Sequence, residues 1–294
     1  MKIGFIGLGI MGTPMCSRLI AAGHSLFVKS RRAVPEALLQ AGATACGSAR
    51  AVAEQAEVII LMLPDTPDVE GVLFGEDGVA QGLSAGKVVV DMSSISPIDT
   101  KRFAERINAL GCEYVDAPVS GGEVGANAGT LTIMVGATDA GFARVESLFQ
   151  AMGKNITHVG GHGDGQTCKV ANQIIVALNI AAVAEALVFA RKAGADPAKV
   201  RQALLGGFAS SRVLEVHAER MIERKFAPGF RIGLHQKDLG LALSGARALG
   251  MALPGTAQVA QLMQVCAAHG AQDLDHSALV QAIEIMAGKT LATP

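Results

Sequence analysis

The sequence predicts an α/β fold in two parts, a doubly wound, mostly parallel sheet over residues 1–163 and an all-helical domain over residues 164–294, joined by one long helix. Three observations predict it. The first half alternates short β-rich runs with helical stretches, the pattern of a parallel sheet covered on both faces. A glycine-rich stretch, Gly160-Gly161-His162-Gly163-Asp164-Gly165, ends that alternation, and no convincing strand follows it. The length, 294 residues, suits about two domains at roughly 150 residues each.

Lys2–Ile6 reads as the first strand and residues 10–22 as the helix after it. Ser25–Lys29 is the second strand, following the turn at Gly23-His24. Further strands are expected at 58–63, 87–91, 114–117, 130–135 and 156–159, with helices in most intervals. A helical run then extends from Gln166 to about Ala193, and others start near Pro197, Ser211, Leu234, Pro254 and Ser277. At ~1.5 Å per residue the first of these spans roughly 40 Å. Residues 170–190 approach the length and apolarity of a membrane span, but Asn172, Gln173, Asn179 and Glu185 interrupt them. Such groups are costly in lipid, so a soluble protein with no membrane partner is expected.

Hydrophobic residues make up 50% of the chain and charged residues 17%, against a usual charged share of about 25%, which excludes disorder over most of the length. The 25 basic and 26 acidic residues nearly cancel and form no basic block, so nucleic acid is not an expected partner. Small-molecule chemistry is expected instead. Five cysteines (Cys16, Cys46, Cys112, Cys168 and Cys266) are scattered without a C-x-x-C pair, arguing against a disulfide framework and a zinc site. His158 and His162 lie in a glycine-rich loop with no acid at ligand spacing, and no metal is expected. Met1-Lys2-Ile3-Gly4 leads into no long apolar signal region, and a cytoplasmic location is expected.

Gly7-Leu8-Gly9-Ile10-Met11-Gly12 has the spacing G-x-G-x-x-G directly after a strand and at the start of a helix. The first glycine permits a tight turn, the second lets backbone approach a pyrophosphate, and the third lets helix and strand pack closely. The helix N-terminus adds unpaired N–H groups for the phosphates. This makes the first domain a Rossmann-type dinucleotide-binding domain. Beyond the second strand the sequence reads Val28-Lys29-Ser30-Arg31-Arg32, without the acid that would bond a ribose 2′-hydroxyl. Ser30 can bond a hydroxyl or a phosphate oxygen, and Arg31 or Arg32 can pair with a 2′-phosphate, although both arginines could equally solvate the following loop; the cofactor expectation is NADPH or NADH with a lean to NADPH.

Three more segments fall just beyond strand ends, where a doubly wound domain holds its ligand: Leu61-Met62-Leu63-Pro64-Asp65, Asp91-Met92-Ser93-Ser94-Ile95-Ser96-Pro97 and Asp116-Ala117-Pro118-Val119-Ser120-Gly121-Gly122, which ends in Ser120-Gly121-Gly122. The last offers a hydroxyl and open backbone N–H groups to a carboxylate, although an ordinary tight turn reads the same way. Ser94 and Ser96, with Pro97 behind them, could equally cap the next helix. Lys169 and Asn172 stand three apart at the start of the long helix and so share one face. A lysine there, ahead of an almost wholly apolar helix, is expected to do chemistry. Cys168 reads as a packed residue, with no histidine at helical spacing to activate it.

The order GLGIMG, Leu63-Pro64, DMSSISP, DAPVSGGEVGA, GDGQTCKVANQ and Lys237-Asp238-Leu239 resembles the β-hydroxyacid dehydrogenases over essentially the whole chain, a family that includes 3-hydroxyisobutyrate and 6-phosphogluconate dehydrogenases. The resemblance implies reversible hydride transfer between NAD(P)H and a small oxo or hydroxy acid, with Lys169 as general acid and base. It implies Asn172 as a substrate-orienting amide and Ser120, Gly121 and Gly122 as the carboxylate site. On the cofactor side it implies the glycine loop, Leu63, Pro64, Ser94 near the nicotinamide, and Lys237 from the helical domain. Two positions depart from the common pattern: many relatives carry Asn-Asn where this chain has Asn172-Gln173, and many carry Thr at Ser94.

Glu123, after the carboxylate segment, favours a small hydroxylated acid over 3-hydroxyisobutyrate or succinic semialdehyde, whose branched or longer chain would need an apolar pocket. A non-catalytic dinucleotide-binding redox sensor would share the glycine loop, but would have no use for Lys169 and Asn172. The helical half is rich in Ala, Leu, Val and Met, and its excess apolar surface predicts a homodimer or homotetramer.

Overall fold

Lys2–Ile6 (β1), Gly12–Ala21 (α1) and Ser25–Lys29 (β2) open the chain as the first βαβ unit in a computed structural model that describes residues 1–292. Glu36–Gln40 (α2), Thr44–Ala45 (β3) and Ala49–Gln55 (α3) lead to Val58–Leu61 (β4). Thr66–Phe74 (α4), Val88–Asp91 (β5), Pro97–Asn108 (α5) and Glu113–Asp116 (β6) follow. Val119–Ser120 (β7), Gly122–Ala128 (α6), Leu131–Gly136 (β8), Asp139–Met152 (α7) and Gly153–Gly160 (β9) complete the sheet unit.

The strands lie in the order β3-β2-β1-β4-β5-β6-β8-β7, with β9 also on β8. From β3 through β6 every pairing is parallel. β8 then runs antiparallel to β6 and β7 and parallel to β9. The winding turns back between β1 and β4, and that reversal opens a crevice at the carboxyl ends of the strands. β4 and β5 are buried at every position, as unbroken runs of branched residues require when both faces of a sheet are covered. The strand period of two sends Val58 and Ile60 to a core with Phe5, Met15, Leu19 and Phe149, and Ile59 and Leu61 to a second core with Phe103 and Tyr114.

Helix starts follow local chemistry. Ser48, Asp65, Ser96 and Thr138 cap α3, α4, α5 and α7 by accepting backbone N–H groups near each helix start. Ser96 is thus the cap that its place before Pro97 allows.

Asp164–Lys192 (α8), Pro197–Leu204 (α9), Arg212–Glu223 (α10), Ile232–Ala248 (α11), Pro254–Ala268 (α12) and Val280–Ala287 (α13) are the remaining helices. The chain divides into two compact units, Met1–Lys169 and Val170 onward. Among the described residues the second unit contains helices and no strand beyond an isolated bridge between Arg231 and Asp275. Ala177, Ile180, Ala184, Leu187 and Val188 recur every three to four residues along α8 and join Met221, Leu239 and Met263 in its core. By length and composition α8 could cross a membrane, yet half of its most apolar window is buried inside the protein.

The expected strand at 58–63 stops at Leu61, which frees Met62 and Leu63 to turn over the sheet edge. Two short strands, β3 and β7, were not foreseen, because two residues carry no periodicity; Ser120 therefore lies in a strand paired to Thr132 rather than in a bare loop. The helix expected near Leu234 begins at Ile232, and the one near Ser277 is preceded by a single 3-10 turn, His276–Leu279.

Candidate dinucleotide and substrate site

β1, β4, β5 and β6 are parallel neighbours, so the segments after them line one edge of the sheet. After β1 comes the glycine loop. Gly7 has φ +106°, and a Cβ there would lie 2.2 Å from the Met62 carbonyl oxygen; one on Gly12 would lie 1.9 Å from that of Gly7. Gly9 differs, because a Cβ would meet no atom within 4 Å. It opens onto a cavity of about 610 Å³ also lined by Ile10, Thr13, Arg18, Glu123 and Asn127. No side chain caps α1 and no acid occupies its first turn, so no negative group competes with an anion at this helix end. Close packing at Gly7 and Gly12 with open space at Gly9 fits a dinucleotide pyrophosphate.

Beyond β2, the Ser30 hydroxyl accepts the Arg32 amide at 3.3 Å, and the exposed Arg31 pairs with Asp68 at 3.2 Å. Leu63, after β4, donates its N–H to Ser93 Oγ at 2.9 Å, while Ser93 N donates to Asp91 Oδ1 at 2.9 Å. These bonds fix the turn that presents Leu63-Pro64 beside the loop bearing Ser94. Ser96 N donates to Thr66 Oγ1 at 3.1 Å, closing the far side of that loop. After β6, Ser120 ends β7, and Gly121 and Gly122 take φ +132° and +60°, values that favour glycine.

The start of α8 is held by a carboxylate. Asp116, wholly buried at the end of β6, accepts Gly163 N at 2.7 Å on Oδ1 and Gln166 N at 2.9 Å on Oδ2. Gln166 carries the connection onward: its Oε1 accepts Ile95 N at 3.0 Å and its Nε2 donates to Ser93 O at 2.7 Å. One turn later stands Lys169, itself buried at 7% exposure. For a lysine that depth is uncommon unless the amine has work or a partner.

In the second unit, Asn172 Nδ2 donates to Gln173 Oε1 at 2.8 Å, and Gln173 Nε2 donates to Asp238 Oδ2 at 2.6 Å. Lys237 pairs with the other oxygen of Asp238 at 2.9 Å. The carbonyl of Gln173 accepts His235 Nε2 at 3.2 Å, and His235 Nδ1 lies 3.0 Å from His276 Nδ1. His276 Nε2 lies 3.3 Å from His217 Nε2. Burial, and then the neighbouring His235 and His217, push His276 well below the ordinary imidazole range.

His217, Asp275 and His276 are close enough to hold a metal ion, a grouping the sequence conceals because His217 lies far along the chain from the adjacent Asp275 and His276. The Asp275 carboxylate is already engaged, with Ser277 N and Oγ on Oδ1 and Gly229 N, Phe230 N and Arg220 Nη1 on Oδ2. A guanidinium on that oxygen also repels a cation. The cluster is therefore read as a hydrogen-bonded unit of the helical core.

Asp116 makes the first unit's stability depend on pH. Burial pushes its carboxyl up to about 7 and Asp91 adds to the rise, while the N–H groups of Gly163 and Gln166 pull the other way. A carboxyl raised above its unfolded value binds its proton more tightly when folded. Its stabilising contribution is therefore full below about pH 4 and is lost as pH rises toward 7. Between pH 5 and 7 the loss is about 2 to 3 kcal/mol. Asp116→Asn removes it, so the Tm of the variant relative to the wild type is expected to rise by several degrees over that interval in calorimetry. His217 and His276, lowered by burial, act in the opposite sense below about pH 6.5, in both proteins, and cancel in the difference.

Within the first unit the structure thus lines the glycine loop, Leu63-Pro64, Ser94 and the Ser120 segment along one sheet edge, and in the second it joins Asn172 to Lys237 through Gln173 and Asp238. Asp116, Gln166, Asp238 and the three histidines were missed. Gln166 and Asp116 lie inside runs that were singled out, but neither has a spacing that signals a contact fifty or more residues away.

Comparison with known proteins follows the same division. Residues 2–160 match the NAD binding domain of 6-phosphogluconate dehydrogenase, and residues 163–283 match the NAD-binding domain of NADP-dependent 3-hydroxyisobutyrate dehydrogenase. The chain is 64% identical over 292 residues to a 2-hydroxy-3-oxopropionate reductase of Escherichia coli (strain K12), covering 99% of this chain and 100% of that one. It is 40% identical over 293 residues to a 2-(hydroxymethyl)glutarate dehydrogenase of Eubacterium barkeri, covering 99% and 97%. Among solved structures, Mycobacterium tuberculosis 3-hydroxyisobutyrate dehydrogenase with L-serine gives a TM-score of 0.88 at 31% identity, covering 96% and 98%.

Proposed function

The chain belongs to the β-hydroxyacid dehydrogenase family of nicotinamide-dependent oxidoreductases, and from that premise we propose that it reduces 2-hydroxy-3-oxopropionate to D-glycerate with NADPH or NADH. The observation that carries the substrate is the 64% identity to the Escherichia coli reductase, which extends over 99% of this chain. In this reading residues 1–163 hold the dinucleotide, and residues 164–294 supply the rest of the substrate site and the contacts between subunits.

When bound, the nicotinamide supplies a hydride to the aldehyde carbon. Every other task falls to the chain. Gly7, Leu8, Gly9, Ile10, Met11 and Gly12 hold the pyrophosphate, Leu63, Pro64 and Ser94 line the nicotinamide side, and Lys237 contributes from the helical part. Ser120, Gly121 and Gly122 bind the substrate carboxylate, and Asn172 orients the oxygen that will become a hydroxyl. Lys169, as an ammonium, hydrogen-bonds the carbonyl oxygen and gives it the proton that completes the alcohol. In the reverse direction the neutral amine takes that proton back. The buried position of Lys169 supports the role, since it strengthens the hydrogen bond to a developing alkoxide.

Ser30 and Arg31 support the lean to NADPH. Arg31 is exposed and makes a surface ion pair with Asp68, a contact worth little, which a 2′-phosphate would readily replace. Arg31→Ala is expected to weaken NADPH about tenfold and NADH less than about threefold, measured by fluorescence titration of each cofactor. Equal losses would return Arg31 to a loop-solvating role.

A homodimer or homotetramer is supported by large apolar side chains left exposed in the second unit, among them Ile175, Phe189, Phe208 and Leu249. A cytoplasmic location is supported by five free cysteines. The deciding experiment is cofactor oxidation, followed by nicotinamide absorbance, with 2-hydroxy-3-oxopropionate in a panel of oxo acids. Saturable turnover on that acid above the others is expected; preferred turnover of 2-methyl-3-oxopropionate would overturn the substrate.

A further inference from the structure

We propose that Gln166 is a positioning residue of the reaction, gripping the loop that carries Ser94 and setting it in register with Lys169. The inference rests on the proposed function and adds to it a residue that touches neither substrate nor cofactor. Its basis is one side-chain amide that spans the two peptide groups flanking Ser94. Oε1 accepts the N–H of Ile95 at 3.0 Å, and Nε2 donates to the carbonyl of Ser93 at 2.7 Å. The side chain is 0% exposed, so water takes no part.

The chemistry selects glutamine. The loop presents one donor and one acceptor, and the partner must offer the complementary pair from a single planar group. An ionised glutamate offers two acceptors, lysine only donors and leucine neither, while asparagine is one methylene shorter. The amide's own anchorage is firm, because the Gln166 N–H binds Asp116 Oδ2 at 2.9 Å and the neighbouring Gly163 N–H binds Oδ1 at 2.7 Å. Lys169 follows three residues later, on the same helical face. The loop is pinned from its other side by Leu63 N on Ser93 Oγ. Lys169 and Ser94 thus hang from a common frame that sets the proton donor and the nicotinamide-side hydroxyl in register.

The test uses the full-length protein and two variants, Gln166→Glu and Gln166→Leu, assayed on the best oxo acid of the panel. Expressing activity as a ratio to wild type answers the question whichever acid that proves to be, so a wrong substrate sinks the proposed function and leaves this result readable. In Gln166→Glu the ionised carboxylate keeps the bond from Ile95 N and turns a second oxygen on the Ser93 carbonyl. A drop in kcat of about 10- to 100-fold at alkaline pH is expected. Protonation restores an O–H donor of nearly the same shape, so the ratio should climb back toward one as pH falls. Asp116, whose Oδ2 takes the Gln166 N–H, also titrates and is coupled to Asp91, so Gln166→Leu, which adds no carboxyl, is the control that separates their pH dependence from that of the introduced carboxyl. Gln166→Leu should lose kcat to a similar degree with no recovery at low pH, while cofactor Kd in both variants stays within about threefold.

A role confined to stability predicts otherwise: Tm falls and kcat of the folded fraction does not move. If Gln166→Leu fails to fold, Gln166→Glu at low pH still decides. A flat activity ratio across pH in Gln166→Glu, or kcat within twofold of wild type in a folded Gln166→Leu, would overturn the proposal.

Discussion

Lys169→Ala is expected to lower kcat by about 10²- to 10⁴-fold, the scale of a lost general acid, which corresponds to roughly 3 to 5 kcal/mol of transition-state stabilisation. The cofactor Kd should change little, because the proposed role brings the amine to the reacting oxygen and not to the dinucleotide's phosphates. Pre-steady-state turnover alongside a direct cofactor titration separates the two effects. Retained turnover would remove Lys169 from the chemistry. Cavity formation alone does not mimic the expected result, since a lost side chain acts on Tm before it acts on kcat.

The second large effect belongs to Gly12. A methyl group there would stand 1.9 Å from the carbonyl oxygen of Gly7 and 3.1 Å from the Phe5 ring. Both the loop backbone and a core aromatic would have to move. Gly12→Ala is therefore expected to cost at least ~2 kcal/mol of stability and to weaken cofactor binding about 100-fold or more. Gly9→Ala offers the contrast, since its methyl meets no protein atom within 4 Å. That variant should keep its Tm within about a degree and still bind cofactor poorly, because the proposed site puts the pyrophosphate where the methyl would go. Isothermal titration and calorimetry on the pair distinguish a packing glycine from a ligand-approach glycine. Unchanged cofactor affinity in Gly9→Ala would move the phosphates elsewhere.

These glycines were legible in the sequence because a local pattern, strand then G-x-G-x-x-G then helix, names a local geometry. The same holds for β1, β2, β4 and β5, whose apolar runs end at residues that must turn over the sheet edge. Lys169 and Asn172 were legible as neighbours on one helix, since a spacing of three puts both on one face of α8. Asp116 and Gln166 were not legible as partners. Their bonds join the end of β6, the loop after β5 and the start of α8, and only the folded topology brings those together. His217, His235 and His276 were likewise invisible, being spread over three segments without a common spacing. Short strands such as β7 escaped for another reason: two residues have no period, and pairing with β8 decides their state.

One consequence of α8 concerns its continuity as a single 29-residue helix through Lys169 and Asn172. Each residue advances the helix by about 100°, so adding or removing a single position between the amine and the amide would swing one past the other by more than a quarter turn. Drift in this stretch can therefore alter side chains but not their number. Insertions belong in the connections between helices, where an extra residue rotates nothing that the chemistry depends on.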